Sequence, residues 1–110
     1  MRLDGARDFK KGPVIMAAYV IVHIRVEKPD EYDEYKTLAL PTVHAFDGKY
    51  LVRGGPVHVL EGAGDWERVV VLEFPSVARA REWWDSPLYA PIKKIRHATA
   101  RTEMIVMQGV

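Results

Sequence analysis

The chain has 110 residues, with 16 Lys and Arg against 15 Asp and Glu and no cysteine. That length suits one domain with one hydrophobic core, and a net charge of +1 supplies no global field to draw the protein to nucleic acid or to an anionic membrane. Without cysteine there is no disulfide framework, thiolate nucleophile or cysteine-ligated metal centre, a usage that fits a reducing compartment and makes the cytoplasm the expected location.

Arg2, Arg7, Lys10 and Lys11 precede the apolar run Val14 to Val22, the outline of a secretory leader. His23 and Arg25 continue that run in alternation, and no small-x-small cleavage site follows it. The run is also shorter than the about 20 apolar residues that span a bilayer, so it reads as the start of a strand. Met16-Ala17-Ala18 leads directly into that strand, and residues 1 to 15 are expected to be a mobile extension of a domain spanning 16 to 110.

Tyr19 to Val26 is β-branched and alternates Val20, Val22, Ile24 and Val26 against Tyr19, Ile21, His23 and Arg25. Pro29 opens the next element, with Asp30 and Glu31 at the positive end of a helix dipole. Tyr32, Tyr35, Ala39, Val43 and Phe46 recur at helical spacing, which predicts a helix of about 17 residues with one buried stripe. Pro41 removes a backbone donor and is expected to kink or split it near Leu40. Asp47-Gly48 supplies a left-handed stop.

Lys49 to Arg53 reads as a second strand that Gly54-Gly55-Pro56 interrupts and Val57 to Leu60 continues beyond a bulge. Glu67 to Phe74 is a third strand. Ser76 caps a helix to about Asp85, Ser86-Pro87 opens a further helical stretch to about Ala98, and Thr102 to Gln108 is the last strand. The order strand, helix, strand, strand, helix, strand is that of an α+β, ferredoxin-like βαββαβ domain with a four-stranded antiparallel sheet. Three strands are apolar on both faces, and helices cover only one. A second copy of the sheet is the expected cover for the other, giving a homodimer.

The segments Ala18-Tyr-Val-Ile-Val, Gly48-Lys-Tyr-Leu-Val-Arg-Gly-Gly55, Val59-Leu-Glu-Gly62, Val71-Leu-Glu-Phe-Pro75 and Trp84-Asp-Ser-Pro-Leu-Tyr89 resemble the domain of unknown function 1330 family, across residues 17 to 110. The resemblance implies the dimeric α/β-barrel superfamily. Its members include monooxygenases, muconolactone isomerases, haem-degrading enzymes and ligand binders, so it implies the fold and leaves the activity open.

Alternation sends Val70, Leu72 and Phe74 toward the helices and leaves Glu73, like His23, on the barrel face. A carboxylate beside an imidazole suits acid–base chemistry, and His23 and Glu73 are the candidate proton-transfer groups. The competing reading is structural: a pair that fixes register, or a salt bridge between Arg53 and Glu73. Arg53, beside Gly54 where the backbone can approach a ligand, is a candidate anion partner. Tyr35, Trp83 and Tyr89 are candidate pocket aromatics, though aromatics at helical spacing also build cores. The basic stretch Lys93 to Arg101 reads as a solvated face from which Arg96 could turn inward to bind an acid. Glu73, His23 and Arg53 are expected to share one cavity.

His44, His58 and His97 have no metal-ligand spacing, and neither metal nor cofactor is expected. No phosphate loop, nucleophile elbow or nucleic-acid module is present. These readings converge on a homodimer that binds a small anionic or carbonyl-bearing molecule. It is either a cofactor-free isomerase, decarboxylase or monooxygenase, or a binding or structural dimer without turnover.

Overall fold

A computed structural model of the protein describes residues 16–110; the extension expected over residues 1 to 15 lies outside the described residues. The elements follow in the order β1 (Ala18–Val26), α1 (Pro29–Ala45), β2 (Lys49–Arg53), β3 (Arg68–Phe74), α2 (Val77–Asp85), α3 (Ala90–Thr99) and β4 (Ala100–Gln108). They form one antiparallel sheet in the order β2-β3-β1-β4, the ferredoxin-like arrangement. No helix among the described residues is long and apolar enough to cross a membrane.

Period-2 alternation sorts the sheet into two faces. Val20, Val22 and Ile24 of β1 and Val70, Leu72 and Phe74 of β3 are buried beneath the helices with Tyr32, Tyr35, Ala39, Val43, Ala80 and Trp83. Burying such side chains stabilises by roughly 1.5–3 kcal/mol each before conformational entropy is subtracted. On the other face Val52, Ile105 and Met107 are 44%, 54% and 47% exposed, an apolar surface with no cover inside the subunit.

α1 runs unbroken through Pro41, so the split expected near Leu40 does not occur. Pro41 sits on the exposed side of the helix, as does Thr37 one turn earlier, so the carbonyl that loses its amide partner faces water. Val57 to Leu60 forms no strand, and residues 54–67 cross the open face as irregular chain. The left-handed residue after α1 is Asp47, at φ 65°. Gly48 has a different role, because a Cβ there would lie 2.6 Å from the Phe74 ring and 2.8 Å from Val43. Ser76 caps α2 by accepting from the Arg79 amide at 3.0 Å. Ser86 Oγ accepts from the Tyr89 amide at 3.1 Å and donates to the Trp83 carbonyl, fixing the turn into α3.

Gly48→Ala should lower stability by about 1–3 kcal/mol, the cost of forcing a methyl into a packed junction; thermal denaturation reads this out, and a wild-type melting temperature would contradict it.

Candidate functional site

α3 turns one face of each helical repeat toward the sheet, and the residues it buries there are Arg96 and Thr99. Arg96 is 1% exposed. Its Nη2 meets His97 Nε2 at 3.2 Å, and its guanidinium carbon stands 5.5 Å from the Trp84 ring centre. Its Nε and Nη1 are buried and have no hydrogen-bond partner. A guanidinium carries five N–H donors and no acceptor, and leaving such donors dry and unmatched is costly.

Arg96 borders a cavity of about 20 Å³, space for about one water, between α1, α3 and the sheet. Tyr32, Tyr35, Tyr50, Arg53, Arg68 and Lys36 are among the side chains that line it, giving four cations and no carboxylate. Arg68 continues the helix-facing alternation of Val70 and Leu72, and it packs beside Tyr32 at 5.7 Å. Its Nε is likewise buried without a partner. The Arg68 guanidinium lies directly where a side chain on Gly54 would project, and Gly54 has φ 77°, so glycine there serves both backbone and arginine. Arg53 stands 4.3 Å from the Tyr50 ring centre and donates to the Lys36 carbonyl at 2.6 Å. Lys36, Arg53 and Arg68 continue outward into an open groove of about 630 Å³.

Tyr35 and Tyr89 join hydroxyl to hydroxyl at 2.7 Å in the interior. Burial pushes both phenols above the ordinary tyrosine value, with the charge of Arg96 opposing. Burial likewise pushes Tyr50 up to about 12. All three are therefore neutral hydroxyl groups at physiological pH, able to donate to an oxyanion and unable to act as bases. Trp83 closes the inner wall, its Nε1 donating to Thr42 Oγ1 at 3.1 Å and its ring 4.2 Å from that of Tyr89.

The fold thus brings together Tyr35, Arg53, Gly54, Trp83, Tyr89 and Arg96, with Lys36, Tyr50 and Arg68 added. It does not bring His23 and Glu73 to them. Those two share the open face, on neighbouring strands, but His23 is opposite Val69 and Glu73 is opposite Tyr19. Four register positions, about 13 Å, separate them. The common cavity expected for Glu73, His23 and Arg53 does not form within the subunit, because Arg53 pairs with Val70 on the helix side.

Glu73 instead accepts from Lys49 at 3.2 Å, and its carboxyl is held below the usual carboxylate value by hydrogen bonds from Lys49 and Tyr19. His23 stacks on Trp66 at 4.8 Å, meets the Asp65 carbonyl at 3.0 Å and lies 3.8 Å from Glu103. Among the described residues no group of three or more His, Cys, Asp and Glu is placed to hold a metal ion.

Residues 17–110 match the domain of unknown function 1330 (DUF1330) family. The chain belongs to that family. No match to a curated protein is found. Among solved structures, a likeness in fold is found in RPA0582 of Rhodopseudomonas palustris, a protein of unknown function, at TM-score 0.74 and 20% identity over 100% of this chain and 95% of that one. A dimeric ferredoxin-like protein of unknown function from Thermobifida fusca aligns at TM-score 0.61 and 14% identity over 89% and 95% of the two chains. SnoaB, a cofactor-independent oxygenase from Streptomyces nogalater, aligns at TM-score 0.50 and 16% identity over 88% and 95%. At these identities the likeness establishes the ferredoxin-like fold of this DUF1330 member and nothing of its chemistry.

Arg96→Met replaces a buried, unmatched cation by an apolar chain of similar length, and should raise stability by about 1 kcal/mol or more, a gain of about 4 °C in melting temperature by calorimetry. A drop would mean that Arg96 is a structural strut. Glu73 behaves as a pairing group on the surface. Since its folded value is depressed below 4.5, its contribution is full above about pH 4.5 and is lost as the pH falls through the folded value. Glu73→Gln should remove that part of the acid dependence in a pH series of melting curves.

Proposed function

We propose that this DUF1330 protein is a homodimer that binds a small organic anion, a carboxylate or enolate, in the crevice between α1, α3 and the sheet. The observation that carries this reading is Arg96: 1% exposed, with Nε and Nη1 unmatched, in a cavity lined by four cations and no carboxylate. A protein that needed Arg96 only for folding would supply it with an acid. An anion delivered by a ligand completes the charge balance, and charge-assisted hydrogen bonds from guanidinium groups and neutral tyrosines fix its orientation. Arg53 and Arg68 form the cationic approach from the outer groove, where Lys36 is paired with Asp33 at 2.9 Å.

The same donors would stabilise the negative charge that develops on oxygen when a carbonyl compound enolises, which makes cofactor-free proton transfer the second reading. Within it, Tyr35 and Tyr89 hold hydroxyl protons and Arg96 lies beside them. His23 and Glu73, the sequence candidates for proton transfer, lie on the opposite face of the sheet, so in this reading the cavity stabilises the enolate and the proton passes to water or to a basic group of the substrate itself.

Dimerisation is supported by the uncovered face bearing Val52, Ile105 and Met107. A two-fold contact of standard size buries roughly 1,500 Å² in total.

Small carboxylates should raise the melting temperature of the wild type in a concentration-dependent way, and Arg96→Met should lower the affinity by tenfold or more, about 1.4 kcal/mol. Equal shifts in both proteins would remove Arg96 from the site. Light scattering should give twice the subunit mass, with Ile105→Lys shifting the protein toward monomer. A stable monomer in the wild type would overturn the assembly.

A further inference from the structure

A second pocket, of about 260 Å³ and half open to solvent, lies between α2 and the edge strand β4. Its lining is largely apolar: Ala80, Trp84 and Val106 among others, with Arg81 the one charged side chain. Trp83 and Met104 border this cavity and also the small cationic cavity that holds Arg96. Trp84 does similar double duty, since its ring lines the apolar cavity and lies 5.5 Å from the Arg96 guanidinium. An apolar pocket and a buried cation whose Nε and Nη1 have no protein partner are therefore divided by a wall whose members include a methionine. Methionine is unbranched, with three rotatable side-chain bonds, and moves aside more cheaply than a branched residue. The small cavity has room for one water and no more, so any organic anion that reaches Arg96 needs space from a neighbouring chamber.

We infer that the ligand is an apolar-tailed carboxylic acid whose head group is held by Arg96 and whose tail occupies the chamber between α2 and β4, with Met104 as the movable partition. This rests on the anion-binding reading above and specifies its substrate class. The outer groove is the poorer host for the tail, because Asp33, Lys36, Thr37, Arg53 and Arg68 line it with Leu40 as the one aliphatic side chain, and the Asp33 carboxylate repels an acid. Arg81 does not compete for the head group, because it is exposed and its charge is screened by water. The division of labour is that of ligand pockets generally: an apolar chamber supplies affinity, and a few convergent polar groups fix orientation.

The test is an NMR titration of isotope-labelled full-length protein with acetate, butyrate, hexanoate and octanoate at neutral pH, following the Arg96 Nε–H signal. Affinity should rise by about fourfold for each methylene that enters the chamber, equivalent to about 0.8 kcal/mol, until the chamber is full. Val106→Trp fills the chamber from the wall away from Arg96, and should abolish the dependence on chain length while acetate still shifts the Arg96 signal. Met104→Ala removes part of the partition, and should tighten octanoate at least fourfold relative to acetate. It provides an independent reading if the tryptophan is not accommodated. If all four acids bind the wild type with equal affinity and Arg96→Met abolishes them alike, the tail chamber is wrong and the anion site stands. If no carboxylate moves the Arg96 signal, the anion site itself falls.

Discussion

A guanidinium enclosed between helix and sheet, without a carboxylate, is the constraint around which one end of this domain is arranged. Removing a cation from water costs several kcal/mol after relaxation, and each neighbour of Arg96 softens that cost without cancelling the charge. Trp84 presents its ring to the guanidinium. His97 accepts from Nη2 as a neutral imidazole, its pKa lowered first by burial and then by Arg96 and Lys93. Tyr35, Tyr50 and Tyr89 contribute oxygen dipoles and stay protonated. None brings negative charge. Positive charge consequently gathers where Arg68 joins the same cavity with its Nε buried and unpaired, whereas Arg53, although it lines the cavity, is exposed and screened by water.

The sheet makes this possible by dividing the labour between its faces. One carries the core and the cationic cavity, because α1, α2 and α3 all pack on the same side. The other keeps an apolar surface interrupted by short-range pairs such as Lys49–Glu73 and Arg25–Asp65, at 3.2 and 2.9 Å. Partly exposed pairs of this kind add little stability, but they define which parts of the face are polar. The cationic cavity and the uncovered apolar surface thereby occupy opposite sides of one four-stranded layer.

The fold was legible because its signals are local: alternation in β1 and β3, the helical spacing of Tyr32, Tyr35, Ala39 and Val43, and the caps at Ser76 and Ser86. Part of the candidate site was legible for the same reason, since Tyr35 and Trp83 sit at inward helical positions; Tyr89 precedes α3, and Arg96 stood out only as the member of a basic stretch that could turn inward. What escaped depends on register and on irregular backbone. The pairing of β2 with β3 shifts between Tyr50 and Val52, so Tyr50 and Arg53 share the helix side although an even alternation would place them on opposite sides. Arg68 was recoverable by extending the alternation of Val70, Leu72 and Phe74 by one step. The separation of His23 from Glu73 was not recoverable, because strand adjacency says nothing about how far one strand slides along the other. Pro41 misled because its effect depends on which side of the helix meets water.

Residues 54–67 carry a consequence for how two sheets could meet. The end of this segment is fastened over the latter half of β1: Trp66 on the His23 ring, Asp65 on Arg25, and Glu67 accepting from the Val26 amide at 3.2 Å. The bare apolar residues, Ile21, Val71, Ile105 and Met107, lie toward the opposite end of the strands. The loop works as a spacer that occupies half of the platform. Any flat surface laid across the four strands therefore meets loop over one half and bare side chains over the other.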